Sequence, residues 1–343
     1  MPIRNYYILS LAALLLLAIP ANAGAKTIGN DKDLQPSVIW VSQFPAWQAV
    51  ETKKNSFKRI YDFLVQKGKD KKIGRPIAIV ANSPTDYWIV DQGGKTIFKV
   101  ENKKVRQPFC IKDKEDYFSS LVGSCKLPDG RLLFSDSKLN QVFIISADGK
   151  SLSTLGDSMT FGQPTGIAWN PATHEFWVVE TGAHRIAVLN EKGVLVRRIG
   201  SRGDGEGQFN FPTSICIDKA GDAYIVDAMN FRVQILNKSG GFVTKFGESG
   251  DASGTFARPK GICVDSYGHI YIADALFHVV QIFDRAGTFL YSFGSQGREK
   301  EQFWMPAGLF IDENNFIYVA DSYNSRVQVF QLINGFENEK LNK

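Results

Sequence analysis

Histidine is scarce in this chain, with four in 343 residues. A metal centre that gathers imidazoles needs three or so converging on one ion, and so few histidines make zinc chemistry hard to build. The sequence Cys-x-x-Cys-His is absent, which excludes covalently attached haem. Gly-x-Ser-x-Gly is absent as well, which removes the nucleophile elbow of one large class of serine hydrolases. Beyond the first 25 residues there is no apolar run long enough to cross a bilayer. Charge of one sign is lacking too. Taking away Arg4 with the leader leaves 39 basic residues against 35 acidic ones, a balance of +4 that gives no ground for a nucleic-acid partner.

What is present starts with MPIRNYYILSLAALLLLAIPANAGA. Arg4, the apolar run from Tyr6 to Ile19 and the small-residue site Ala21-Asn22-Ala23 read as a cleaved export signal over residues 1–23, followed by a linker over 24–35. The apolar run is short for a membrane anchor, and the first cysteine, Cys110, lies too far on to take a lipid. The mature chain is therefore expected outside the cytoplasm, periplasmic or secreted, as a soluble monomer.

The stretch GSRGDGEGQFNF places Gly203, Gly205 and Gly207 two apart, like a loop that cradles phosphate. A cradle needs converging N–H groups with a helix behind them, but the residues after Gly207, QFNFPTSICID, alternate like a strand. The same stretch returns 47 residues later as GESGDASGTFARPKGICVD and again as GSQGREKEQFWMPAGLFID. It marks a repeat boundary.

Counting from the carboxylate that ends each xIYxxD strand gives Asp91, Asp136, Glu180, Asp227, Asp274 and Asp321, in steps of 45, 44, 47, 47 and 47 residues. Upstream of these stand Pro76, Leu121, Pro164, Pro212, Pro259 and Pro306, and three residues earlier Ile73, Phe118, Phe161, Phe209, Phe256 and Phe303. Each unit holds four short strands with turn signals between them, as in GICVD, HIYIAD, VVQIF and FLYSF. Both faces of such a sheet are apolar, so it cannot stand alone in water. Packing the sheets around an axis buries both faces, and four strands per period of 40 to 50 residues predict an all-β, six-bladed β-propeller over 73–336. The recurring Phe is expected to plug the gap between blades.

The sixth unit lacks a fourth strand, and the last residues, 337–343, form a polar tail. The strand-like segment PSVIWVSQFPAWQAVE over 36–51 is expected to complete that blade and leave no bare edge. Between it and the first blade, within a closing region 36–72, lies a basic segment. Phe57, Ile60, Tyr61 and Leu64 share one face of a predicted amphipathic helix over 56–66, with Lys53, Lys54, Lys58, Arg59, Lys67, Lys69, Lys71 and Lys72 around it. Two readings stand for this helix: it lies over the ring with its charges solvated, or it contacts an acidic partner or anionic lipid as a peripheral membrane contact through Lys53, Lys54, Lys58, Arg59, Lys69, Lys71 and Lys72.

VETGAHRIAVL (179–189), VDAMNFRVQIL (226–236) and ADSYNSRVQVF (320–330), with Pro-x-Gly-Ile ahead of the blades, resemble the NHL-repeat family, in particular its exported bacterial six-bladed members. The resemblance covers about residues 73–332 and implies the propeller fold. It also implies an interaction platform, since family members commonly act so. The first two units depart from it, with Thr96 and Gln141 where others carry Arg185, Arg232 and Arg326, and the fifth has Val279.

Six repeat carboxylates invite a central divalent cation such as Ca²⁺. The carboxylate five residues before an arginine points instead to a structural ion pair with an Asx turn, in Glu180–Arg185, Asp227–Arg232 and Asp321–Arg326. His184 and His278 share one repeat slot, and His174 and His269 sit in or beside hairpin turns. Relatives with this fold include lyases and lactonases with a channel metal, and this chain lacks a third or fourth histidine on an inner strand. Cys125, Cys216 and Cys263 stand four residues after the proline position, a small-residue slot. They read as buried free thiols, with a Cys110–Cys125 bridge between the first two blades as the other reading. The expected function is therefore a non-catalytic, cofactor-free scaffold that binds a protein partner in the cell envelope, or a small ligand, through its loops and channel. The alternative is a metal-assisted lyase or lactonase at the channel mouth.

Overall fold

The computed structural model describes residues 37–45, 73–108, 110, 117–156 and 161–333. The predicted signal, linker, basic helix with its lysines, the end of the 36–51 segment including Trp47, and the polar tail lie outside the described residues. Among the described residues no helix is long and apolar enough to cross a membrane.

Among the described residues twenty-four strands form six four-stranded antiparallel sheets. β1 (Ser37–Phe44) comes first in the chain. Blade one holds β2 (Pro76–Ser83), β3 (Asp86–Asp91), β4 (Thr96–Glu101) and β5 (Lys104–Arg106). Blade two holds β6 (Leu121–Lys126), β7 (Leu132–Asp136), β8 (Gln141–Ile145) and β9 (Leu152–Thr154). In blade three are β10 (Pro164–Asn170), β11 (Glu175–Glu180), β12 (Arg185–Asn190) and β13 (Leu195–Ile199), and in blade four β14 (Pro212–Ile217), β15 (Ala223–Asp227), β16 (Arg232–Leu236) and β17 (Phe242–Phe246). Blade five runs through β18 (Pro259–Val264), β19 (Ile270–Asp274), β20 (Val279–Phe283) and β21 (Phe289–Phe293). Blade six has β22 (Pro306–Ile311), β23 (Phe316–Asp321) and β24 (Arg326–Ile333), and its outer strand is β1. The register runs from Ser37 opposite Ile333 to Phe44 opposite Val327, with one slip between Trp40 and Ser42. The expected closure is present over Ser37–Phe44, the part of the 36–51 segment that the described residues cover.

Six apolar clusters fill the six gaps between neighbouring blades, the last joining Tyr87 and Ile89 of blade one to Tyr318 and Val329 of blade six. Phe118, Phe161, Phe209, Phe256 and Phe303 are buried in five of these gaps, and Ile73 takes the same place in the sixth. Each buried phenylalanine stabilises the ring by about 1.5–3 kcal/mol. In the three gaps between blades three and six the phenylalanine lies against a glycine nine residues earlier. Gly200, Gly247 and Gly294 have φ near +91°, +94° and +96°, and a Cβ on them would stand 2.6, 2.3 and 2.4 Å from Phe209, Phe256 and Phe303. A left-handed backbone against an aromatic plug admits only glycine.

The first strands of the blades touch one another around the axis and line the channel. They approach backbone to backbone: a Cβ on Gly261 would lie 2.3 Å from Ala307 O, and one on Gly308 2.4 Å from Ile77 O. Each proline position pairs with its blade's carboxylate, as in Pro212 with Asp227 and Pro259 with Asp274. The residues just before the proline and just after the carboxylate therefore share one face of the ring, here termed the upper face.

Candidate functional site

All six repeat carboxylates are fully buried. Each accepts backbone N–H groups from the loop that leads into its own blade. Asp91 takes Gly74 at 2.9 Å and Arg75 at 2.5 Å, Asp136 takes Ser119 at 2.6 Å, and Glu180 takes Gly162 at 2.9 Å. Asp227 takes Asn210 at 2.6 Å, Asp274 takes Ala257 at 2.8 Å, and Asp321 takes Trp304 at 2.7 Å. They do not come together around the axis, and among the described residues no three His, Cys, Asp or Glu side chains are grouped as metal ligands.

The rest of each carboxylate's bonding depends on whether an arginine comes five residues later. In blade four, Arg232 Nε donates to Asp227 at 2.7 Å, and its terminal nitrogens donate to the carbonyls of Asp204, Gly205 and Gln208 at 2.5, 2.9 and 3.0 Å. Arg326 repeats this on Asp321 at 2.6 Å and on Arg298 O, Glu299 O and Gln302 O. Arg185 meets Glu180 at 2.7 Å but stays about one-third exposed. Blades one, two and five have no such arginine, and the carboxylate caps the turn instead. Asp91 accepts Gly94 N–H, Asp136 accepts Lys138 and Leu139, and Asp274 accepts Leu276 and Phe277. Ion pair and Asx turn are thus alternatives divided among the blades.

The glycine-rich loop turns carbonyls, not N–H groups, towards a ligand, and that ligand is Arg232. Its own N–H groups on Gly205 and Gly207 go to Gln208 and Gln234 side chains. The polarity is opposite to that of a phosphate cradle.

His184 Nδ1 accepts the N–H of Phe211, and His278 Nδ1 that of Met305, each at 3.1 Å. Both histidines pin the entry to the next blade. On the lower face His174 meets Glu191 at 2.7 Å, and His269 meets the buried Asp265 at 2.8 Å. Sequence reasoning missed Asp265 together with Asp218 and Asp312. These lie six residues after their prolines and accept the hydroxyls of Tyr271, Tyr224 and Tyr318. The spacing of this Asp to the strand-two Tyr was the signal that could have found them.

The hydrogen bond to Asp265, with Asp265 and Asp284 charges nearby, raises His269 above its usual 6.5 against the effect of burial. A raised folded value means stability that is full below the unfolded pKa and is lost as pH rises through the folded one. We expect thermal melts of the protein to fall across that window and the His269→Gln variant to lose this component; an unchanged pH profile in the variant would disprove the linkage.

Cys125, Cys216 and Cys263 carry free thiols, so Cys125 forms no bridge to Cys110. Cys110 packs in the gap between blades one and two and Cys125 in the gap between blades two and three. Burial pushes the Cys125 and Cys216 thiols up to about 12 and Cys263 well above its usual value. They are poor nucleophiles at neutral pH.

On the upper face the residue after the carboxylate reaches the next blade in blades one, three and six, while Ser137 of blade two turns back to Ser120. Gln92 donates to Leu121 O at 3.0 Å, Thr181 to Pro212 O at 2.6 Å and Ser322 to Pro76 O at 2.5 Å. Blades four and five carry Ala228 and Ala275 there, without a donor. The same sector holds Lys260, one residue after Pro259 on an inner strand where the other blades have Ile77, Val122, Thr165, Thr213 and Ala307. Sequence reasoning passed over this lysine, whose signal was a charge in an otherwise uncharged slot. Burial, then the neighbouring Arg258, lowers its pKa. Phe211, Met229, Leu276 and Tyr323 stand exposed around this sector.

The NHL repeat model matches residues 303–330, which run from the plug between blades five and six to β24. No curated protein matches the chain by sequence. Among solved structures, virginiamycin B lyase from Staphylococcus aureus is similar over 77% of this chain and 97% of its own, at 15% identity and a TM-score of 0.57. An auxiliary nutrient-binding protein from Bacteroides thetaiotaomicron is similar over 76% of this chain and 70% of its own, at 13% identity and a TM-score of 0.60. A gluconolactonase from Xanthomonas campestris is similar over 76% and 88%, at 13% identity and a TM-score of 0.58. At these identities the likeness is one of fold.

Proposed function

Starting from a chain that is an NHL-repeat β-propeller of six blades, we propose that it is an exported, non-catalytic scaffold whose upper face binds a protein partner of the cell envelope. The observation that carries this reading is the composition of that face. Four large apolar side chains, Phe211 at 41%, Met229 at 55%, Leu276 at 51% and Tyr323 at 53% exposure, stand on the turns around the channel mouth. A folded ring has nothing to gain from exposing them together, and such patches suit association. The groups that would do chemistry there are engaged: the carboxylates hold backbone N–H groups, and His184 and His278 accept from the chain. No cofactor enters this reading. Similarity in fold to an auxiliary nutrient-binding protein agrees with a binding role.

Photo-cross-linking groups placed at Met229 and Leu276 are expected to trap one envelope protein in the cell, while the same group at Tyr267, equally exposed on the lower face, traps none. Equal trapping from both faces, or none from the upper one, would refute the proposal. A divalent ion that stays with the purified protein near one per chain after dialysis would favour the metal-assisted lyase or lactonase instead.

A further inference from the structure

We propose that the upper channel mouth at blades four and five is a carboxylate site, built from Lys260, Arg258 and Thr213, for an acidic residue of a peptide segment with apolar side chains beside it. This rests on the reading of the upper face as the binding end. It is carried by what that sector lacks compared with its neighbours.

In blade three the residue after the proline, Thr165, shares a hydrogen bond at 2.7 Å with Thr181, which in turn donates to Pro212 O. Thr213 is its counterpart in blade four. There Ala228 replaces the threonine, and Thr213 Oγ1 is buried with no hydrogen-bond partner among the described residues. Burying a hydroxyl without a partner costs about 1–3 kcal/mol. Lys260 is the counterpart in blade five, beside the buried Ala275. The described residues give its ammonium no acidic partner, and Arg258 brings a second positive charge two residues away. Asp274, the nearest repeat carboxylate, already holds the N–H groups of Ala257, Arg258, Leu276 and Phe277. Lys260 and the Thr213 hydroxyl thus stand on adjoining inner strands, β18 and β14, with Arg258 on the loop just before β18, and the described residues supply them no anion.

A carboxylate answers both cations at once, by charge-assisted bonds to Lys260 and Arg258, and a turn of the Thr213 side chain brings its unpartnered hydroxyl to the same anion. The surroundings choose a peptide over a free acid. Phe211 and Met229 on one side and Leu276 on the other are exposed next to the cations and would cover the apolar neighbours of an acidic residue.

The test is calorimetric titration of the full-length protein with a capped peptide bearing glutamate between leucines, with the same peptide carrying glutamine, and with acetate. The glutamate peptide should bind about tenfold more tightly than the glutamine one. Lys260→Gln should abolish that preference, while Lys260→Arg, which keeps the charge, retains it; thermal melts of both check that they fold. Glutamate and glutamine peptides binding alike, or neither binding, would overturn the carboxylate site. Acetate binding as tightly as the peptide would overturn the peptide as its source. The photo-cross-link from Met229 separates the two levels of argument: an envelope partner still trapped in the cell, while the purified protein shows no preference for the glutamate peptide, leaves the scaffold standing and removes only this site.

Discussion

Replacing Arg326 by methionine is expected to destabilise the protein by about 3–5 kcal/mol, the cost of leaving one member of a buried ion pair alone. At this chain length that corresponds to a melting temperature lower by about 5–8 °C. The arginine side chain is 6% exposed and Asp321 not at all. Besides Asp321, its terminal nitrogens satisfy the carbonyls of Arg298, Glu299 and Gln302, so its loss strips the loop into blade six of its fastening. The pair in blade three gives the control. Arg185 is 35% exposed, and Arg198 stays 3.4 Å from the buried Glu180 as a second partner, so Arg185→Met should cost only about 1 kcal/mol. There is also a pH signature. Burial raises the Asp321 carboxyl against the pull of Trp304 N–H, Asn324 and Arg326. Without Arg326 that rise grows, and a carboxyl raised in the folded state adds stability that is present at low pH and lost as pH climbs through the folded value. The Arg326→Met protein should therefore be least impaired in acid. Equal melting of both variants and the parent would show that these pairs do not hold the loops.

The ion pair could be read from the spacing Asp-x-x-x-x-Arg, because a strand–turn–strand hairpin of fixed length brings its ends together. The three carbonyls on the same guanidinium could not. They come from a loop some 24 to 28 residues earlier, and only the closing of the blade brings Gly205 O and Gln208 O to Arg232. The plug phenylalanines were visible because apolar residues at fixed offset have one plausible place in a ring. Their glycine partners were visible as glycines, but not as the surface against which Phe209, Phe256 and Phe303 lie. Lys260 and Thr213 escaped for a related reason. Their meaning lies in what Ala228 and Ala275 fail to offer, and an absent partner has no pattern of its own. The replacement of the arginine by Thr96, Gln141 and Val279 was plain, yet the Asx turns that take over at Asp136 and Asp274 depend on backbone direction.

Removing residues 36–45 should reduce the melting temperature by more than about 10 °C and broaden the transition, because β1 closes the ring as well as a sheet. Val38 and Trp40 pack into the cluster between blades five and six, and Val41 and Phe44 into the one between blades six and one. Four partly buried apolar side chains at about 1 kcal/mol or more each set the scale of the direct loss. Trp40 also donates to Gln328 at 3.1 Å, and Gln43 accepts from Arg326 at 3.1 Å, so the blade-six fastening weakens with the strand. The edge of β24 is then bare, and the blades become a stack with two ends, whose units unfold less cooperatively than a closed ring. The calorimetric enthalpy should exceed the van't Hoff enthalpy in the truncated chain and match it in the intact one. The register supplies the rescue. Ser37 lies opposite Ile333, so a two-residue turn joining Ile333 to Ser37 would make β24 and β1 a hairpin. A permuted chain with residues 37–45 placed there, and starting at Ile73, should regain the lost stability and the single transition. Failure of that permutant to recover, or a truncated chain that melts like the intact one, would show that the ring is held by its blade-to-blade clusters without help from this strand.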